Sequence, residues 1–144
     1  MLRFTKRADY GLMAVHYIAL NQEYGAVSSK RIAEEFQIPA ELLAKILQRL
    51  AKKGLIMSQN GPKGGYALAD QASEITVGQV VRALEGPINI VNCLETHQCP
   101  QMSRCNLRRP VLKIQAGITQ MLDTMTLAEL LGDDVPMTEL VTNS

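Results

Sequence analysis

Apolar positions recur at helical spacing near the start of the chain. Tyr10, Met13, Ala14, Tyr17 and Ile18 share one face, which predicts a helix from Thr5 to Asn21. A glycine-containing turn follows over 22–26. Ser28 or Ser29 can then cap a short helix, Lys30 to Phe36, with Ile32, Ala33 and Phe36 turned inward. Pro39 stands where a helix can start without losing a hydrogen bond. The helix from there to Lys53 has the clearest two-sided pattern in the chain. At about 100° per residue, Leu42, Leu43, Ile46, Leu47, Leu50 and Ala51 fall on one side. Glu41, Ala44, Lys45, Gln48, Arg49 and Lys52 fall on the other. Gly54 closes the helix, as a glycine just past a helix end does.

The period then changes. Leu55–Gln59 and Tyr66–Ala69 read as two short strands around Asn60-Gly61-Pro62-Lys63-Gly64-Gly65, a run dense in turn formers. Another helix is expected from Thr76 to Leu84, stopped by Gly86-Pro87. Ile88 to Asn106 is a loop, long for a connector without structure of its own, which favours a functional explanation. Pro110 opens a last long helix, to about Thr124. On it Leu107, Val111, Ile114, Ile118, Met121, Leu122 and Met125 form one apolar stripe. Thr126–Leu131 adds a helical turn or two, and an acidic tail begins at Asp133. The expected fold is mainly α with a small β-hairpin: a winged helix-turn-helix domain over 1–86, a cysteine-containing loop over 87–106, a dimerisation helix and C-terminal helix over 107–132, and a flexible tail over 133–144.

Composition adds two constraints. The 144 residues are 47% hydrophobic, with no tryptophan, two phenylalanines and four tyrosines, so a sizeable core must be aliphatic. The net charge is +1, but it is unevenly spread: 1–70 hold ten Lys/Arg and six Asp/Glu, 71–144 five and eight. A basic N-terminal half suits phosphates, and the C-terminal half has another task. The longest apolar stretch, Gly11 to Leu20, is too short to span a bilayer and contains His16. The expectation is therefore a cytoplasmic protein with no membrane partner, in which thiols stay reduced and act as ligands or redox groups.

Two short helices, a tight turn and a glycine-tipped hairpin make a reader of double-stranded DNA. A helix fits the major groove while its partner braces it across the backbone. Candidate DNA contacts are Ser28, Ser29 and Lys30 at the start of the second helix, and Glu41, Lys45, Gln48 and Arg49 on the third. On the wing they are Asn60, Gly61, Lys63, Gly64 and Gly65. A solvated charged face would give the same helix pattern alone; the hairpin and the basic N-terminal half favour DNA. Gly61-Pro-Lys-Gly-Gly is not a phosphate-binding loop of a nucleotide hydrolase, because the Lys-[Ser/Thr] ending and a following helix are missing.

Cys93, Cys99 and Cys105 are spaced Cys-x5-Cys-x5-Cys. Thiolates are soft ligands for iron–sulfur clusters, zinc or copper(I). Zinc fingers favour narrower pairs. Arg104, Arg108 and Arg109 lie close by in sequence and could offset the negative charge of a cluster. Spacing alone leaves open three buried cysteines without a ligand role. A thiol enzyme would need a base, and His97 is the only histidine near the cysteines. No acid or cofactor loop accompanies it, so the chain does not read as an enzyme.

Leu2-Arg3-Phe4-Thr5-Lys6 with Asp9-Tyr10, Gly61-Pro-Lys-Gly-Gly-Tyr66, Thr76-Val77-Gly78, Leu84-Glu85-Gly86 and the three cysteines together resemble the Rrf2 family of winged-helix regulators, from residue 2 to about 131. The resemblance implies a homodimer in which the long helix after the cysteines crosses its twin. It also implies a transcription regulator, as a repressor, with an iron–sulfur cluster on Cys93, Cys99 and Cys105, a 4Fe–4S cluster ahead of a 2Fe–2S one. The biogenesis-regulator branch supplies a histidine three residues after the third cysteine, where this chain has Arg108. The nitric-oxide-sensing branch can use an aspartate from the first helix of the other subunit, and Asp9 stands at the matching place. His97 and Glu95 are local competitors, and His16 reads as structural. A carboxylate ligand is more labile than a thiolate, which implies a sensor of nitric oxide, oxygen or iron–sulfur status. A cluster-free branch, responding through thiol oxidation, zinc or a partner protein, is the alternative, and a protein adaptor without DNA a further one. The wing position often held by arginine in the family is Asn60 here, which implies altered wing readout.

Overall fold

The computed structural model describes residues 4–62, 64–89, 106 and 108–132. Lys63, Cys93, Cys99 and Cys105 lie outside these residues. So do Glu95, His97, Arg104, Leu107 and the predicted tail. Helix α1 spans Lys6–Leu20 and is followed by a 3-10 turn, Gln22–Tyr24. Helices α2 (Ser29–Phe36) and α3 (Ala40–Lys52) follow. Strands β1 (Ile56–Gln59) and β2 (Gly65–Leu68) pair antiparallel, from Ile56 opposite Leu68 to Gln59 opposite Gly65. A 3-10 turn at Ala72–Glu74 leads to α4 (Val77–Glu85). The C-terminal part holds α5 (Arg108–Thr124) and α6 (Leu127–Leu131).

The helices begin where their caps dictate. Thr5, Ser28, Thr76 and Thr126 each accept a bond from the backbone N–H three residues on, satisfying donors that the helix cannot. At α4 the cap is reciprocal, since Gln79 Oε1 accepts from the Thr76 N–H at 2.9 Å. Most elements start one residue from the sequence reading, and two starts involve a proline. Pro39 is the residue before α3 rather than its first, and α5 begins at Arg108, two residues before Pro110. Proline is accommodated in that first turn because the missing N–H would have had no partner there.

The core lies between α1, α2, α3, α4 and α6 and is aliphatic, as composition required. Ile18, Ile32, Leu43, Leu47, Leu50 and Leu84 are all buried, and no buried polar residue occurs among the described residues. Tyr17 and Phe36 meet edge to face at the rim, centroids 5.4 Å apart, and the Arg31 guanidinium lies over the Tyr17 ring. The chain returns to this core at its end. Val77 N–H donates to Met125 O and Leu127 N–H to Ile75 O, and Leu127 is fully buried. Burial of one such leucine contributes about 2 kcal/mol, enough to hold a five-residue helix against α1 and the Ala72–Glu74 turn.

The expected stripe on α5 is divided. Val111, Ile118, Leu122 and Met125 are half-buried, while Ile114 and Met121 stay exposed at 53% and 63%. Among the described residues, the main helical neighbour of α5 is α4.

The link between α2 and α3 carries backbone strain. Gln37 adopts the left-handed conformation at φ 53°, which costs an L-residue about 1–2 kcal/mol. Glycine relieves this at some cost in unfolded-chain entropy. Gln37→Gly is therefore expected to stabilise the protein by about 0.5–1 kcal/mol, read as a rise of about 1–3 °C in the thermal midpoint.

Candidate nucleic-acid interface

Helix α3 buries Leu43, Ile46, Leu47 and Leu50. Its length of 13 residues corresponds to about 20 Å. Glu41, Lys45, Gln48 and Lys52 are exposed and fall within about 60° of one another around the axis. They form a polar stripe along the side opposite the core, the side that a major groove accepts. Arg49 is placed differently. It lies about 70° round from the centre of that stripe, and its Nε donates to the Ala83 carbonyl of α4 at 2.8 Å.

The start of α2 is stitched to the wing. Val27 and Tyr66 exchange both backbone bonds, at 2.9 and 2.8 Å. Ser28 is the cap, its Oγ accepting from Arg31 N–H at 3.1 Å. Ser29 opens the helix, and Lys30 is exposed beside it. Unpaired N–H groups and the positive end of the helix dipole favour an anion there.

Two of the wing glycines are there for close packing. A Cβ on Gly65 would collide with the Val27 carbonyl, and one on Gly64 would lie 2.5 Å from the Gln59 carbonyl. Gly61 has φ 112° with open space around it. Asn60 and Gly61 are exposed at the tip. The structure thus brings the start of α2, the α3 stripe and the wing into one framework, and Lys63 lies outside the described residues.

Asp9 sits in the first turn of α1 and is exposed. Its carboxylate has no hydrogen bond or ion pair among the described residues. Close by, Glu85 at the end of α4 accepts from Arg7 Nε at 3.1 Å and from Thr5 Oγ1 at 2.5 Å. The start of α1 is thereby pinned to the point from which the chain runs on toward Cys93. His16 is half-buried on α1, and Arg108 and Arg109 are exposed at the start of α5. No group of three His, Cys, Asp or Glu side chains suited to a metal occurs among the described residues, which do not include the cysteines.

Sequence reasoning missed the Arg49–Ala83 and Glu85 contacts, whose partners are 34 and about 80 residues apart. One local signal was available. Pro87, four residues after Ala83, has no N–H to offer that carbonyl.

Comparison with known proteins gives a consistent picture. The profile of the Rrf2 family, described as iron-dependent transcriptional regulators, matches residues 4–133. The HTH-type transcriptional regulator IscR of Serratia proteamaculans is 33% identical over 132 residues, covering 92% of this chain and 80% of that one. Among solved structures, CymR, the global cysteine regulator of B. subtilis, superposes with a TM-score of 0.76 at 31% identity, covering 90% of this chain and 96% of that one. IscR of T. potens does so with 0.74 at 30%, covering 93% and 89%.

The Gly65 contact generates a direct expectation. Gly65→Ala must push β2 away from Val27, and overpacking of this kind costs about 1–3 kcal/mol. Thermal unfolding should report that loss, whereas alanine at the open Gly25 should lower the midpoint only through its φ of 95°.

Proposed function

The chain belongs to the Rrf2 family of transcriptional regulators, and from that premise we propose that it is a homodimeric, cytoplasmic repressor whose hold on operator DNA is set by an iron–sulfur cluster. It is a DNA-binding regulator and not an enzyme, as are the relatives and structural neighbours it matches. The observation that carries the DNA reading is the exposed Glu41–Lys45–Gln48 stripe on a helix whose other side is buried. Lys45 and Gln48 reach base edges and phosphates, and Glu41 accepts from cytosine. Ser28, Ser29 and Lys30 hold a phosphate at the start of α2. Asn60, Gly61 and Lys63 follow the backbone from the wing, shaped by Gly64 and Gly65.

The donor set suits a cluster. Cys93, Cys99 and Cys105 offer three soft thiolates, and Asp9 offers a carboxylate with no other partner among the described residues. Asp9 of one protomer completes the set of the other. When bound, the cluster would supply redox chemistry and reactivity toward nitric oxide or oxygen. Support for a dimer comes from α5, whose Ile114 and Met121 stay exposed beside a half-buried stripe. A second α5 crossing there covers them. In the dimer two copies of α3 address half-sites about one helical turn, ~34 Å, apart.

Duplexes selected by the wild-type protein from a randomised pool provide the probe. Cluster-loaded and cluster-free protein should differ in affinity at least about tenfold; equal affinity would overturn the reading. Protein isolated without oxygen should be coloured, and its Mössbauer spectrum should change at one iron site in Asp9→Ala. Colourless, iron-free protein with full DNA affinity would place it with the cluster-free branch. A second expectation concerns assembly. Ile114→Glu with Met121→Glu should sediment as monomer where the wild type sediments as dimer.

A further inference from the structure

We infer that Arg49 is a positioning residue: it couples the attitude of α3 on DNA to the last turn of α4, and through it to the cysteine segment. The inference rests on the cluster-sensing reading above.

The Ala83 carbonyl is among the last carbonyls of α4, which find no donor within the helix, and Pro87 beyond it has no N–H to offer. The neighbouring Gly86 N–H is already bonded to Arg82 O at 2.9 Å. Arg49 Nε supplies the missing donor at 2.8 Å. Its positive charge also meets the negative end of the α4 dipole. The same turn is held from other sides. Glu85 is gripped by Arg7 and Thr5 of the α1 start. Asn89 Oδ1 accepts from Gln115 of α5 at 3.0 Å. Residues 83–89 are thus a junction of α1, α3 and α5, and they lead directly toward Cys93.

The kind of contact matters. The inner side of α3 is held by apolar packing, which is non-directional. Packing opposes separation of α3 from the core but restrains a small rotation about its axis less. The Arg49 bond is directional, so it fixes that rotation relative to α4. A shift at the junction that lengthens the bond turns the Glu41–Lys45–Gln48 stripe against the groove. Arg49 itself lies off the stripe and adds no phosphate contact.

The test compares Arg49→Gln with Lys45→Gln in the full chain, cluster-loaded and cluster-free, on wild-type-selected duplexes. Each phosphate contact contributes about 0.9 to the slope of log affinity against log salt. Lys45→Gln should lower the slope by about that amount. Arg49→Gln should leave the slope unchanged and shrink the loaded-to-free affinity ratio at least about threefold. A slope reduced by about 0.9 in Arg49→Gln makes Arg49 a phosphate ligand and overturns the inference. An unchanged slope with an unchanged ratio overturns it too. If the wild-type ratio is itself one, the cluster reading fails separately. Arg49 is then judged on half-site spacing altered by one base pair: lost discrimination in Arg49→Gln supports the positioning role, and retained discrimination overturns it.

Discussion

How closely other helices can approach α4 governs the rest of the molecule. Gly11 of α1 lies where a Cβ would collide with Leu84 of α4, and Gly78 of α4 where one would collide with Asp123 of α5. Neither position tolerates a methyl group without a shift of its neighbour. The absence of those two methyl groups lets α1 and α5 both pack tightly on a nine-residue helix. The Asp123 carboxylate then reaches Arg82, at 2.6 Å, across the Gly78 backbone. A short helix that would be marginal alone becomes the element on which three others converge.

The two ends of α4 are treated differently. Its start is closed by its own cap residues and by Met125 O, which receives the Val77 N–H. Its last turn depends on side chains from elsewhere. Of these, the Arg7–Glu85 ion pair has 48% and 24% of its side chains exposed, and pairs of that kind contribute only about 0–1 kcal/mol. The Arg49–Ala83 bond is charge-assisted and partly buried, which is worth more, about 1.5 kcal/mol. The contact between α4 and the polar helix α3 is therefore a directional restraint on that end, beside the Thr5–Glu85 bond from α1.

Much of the fold was legible because the relevant signals are local. Cap residues stand within three positions of the donors they satisfy, and the apolar side of α3 repeats over its whole length. The α3 stripe could be drawn from spacing alone, and Glu41, Lys45 and Gln48 are exposed where spacing put them. Arg49 shares their polar character but lies about 70° round from them, and its partner is a carbonyl 34 residues away. Periodicity ranks residues by side of a helix and says nothing of what each side meets. The α5 stripe shows the same limit. Sequence gives one continuous apolar band, whereas α4 covers only part of it and leaves Ile114 and Met121 in solvent. The wing glycines read as turn formers, yet Gly65 is required by the close approach of Val27 as well as by its positive φ.

This division of α5 ties assembly to the junction at the end of α4. One side of α5 contacts α4 directly, through Asp123 against Gly78 and Arg82, and through Gln115 to Asn89 just beyond α4. The other side carries the exposed Ile114 and Met121. A displacement of residues 83–89 is thus delivered to α3 through Arg49 and to α5 through Gln115. Apolar packing is non-directional and holds these helices together without selecting among neighbouring arrangements as sharply as a hydrogen bond does. Polar bonds at one end decide which of those arrangements is occupied. A fold built this way separates stability from orientation: the aliphatic core holds the helices together, and a few directional contacts set their angles.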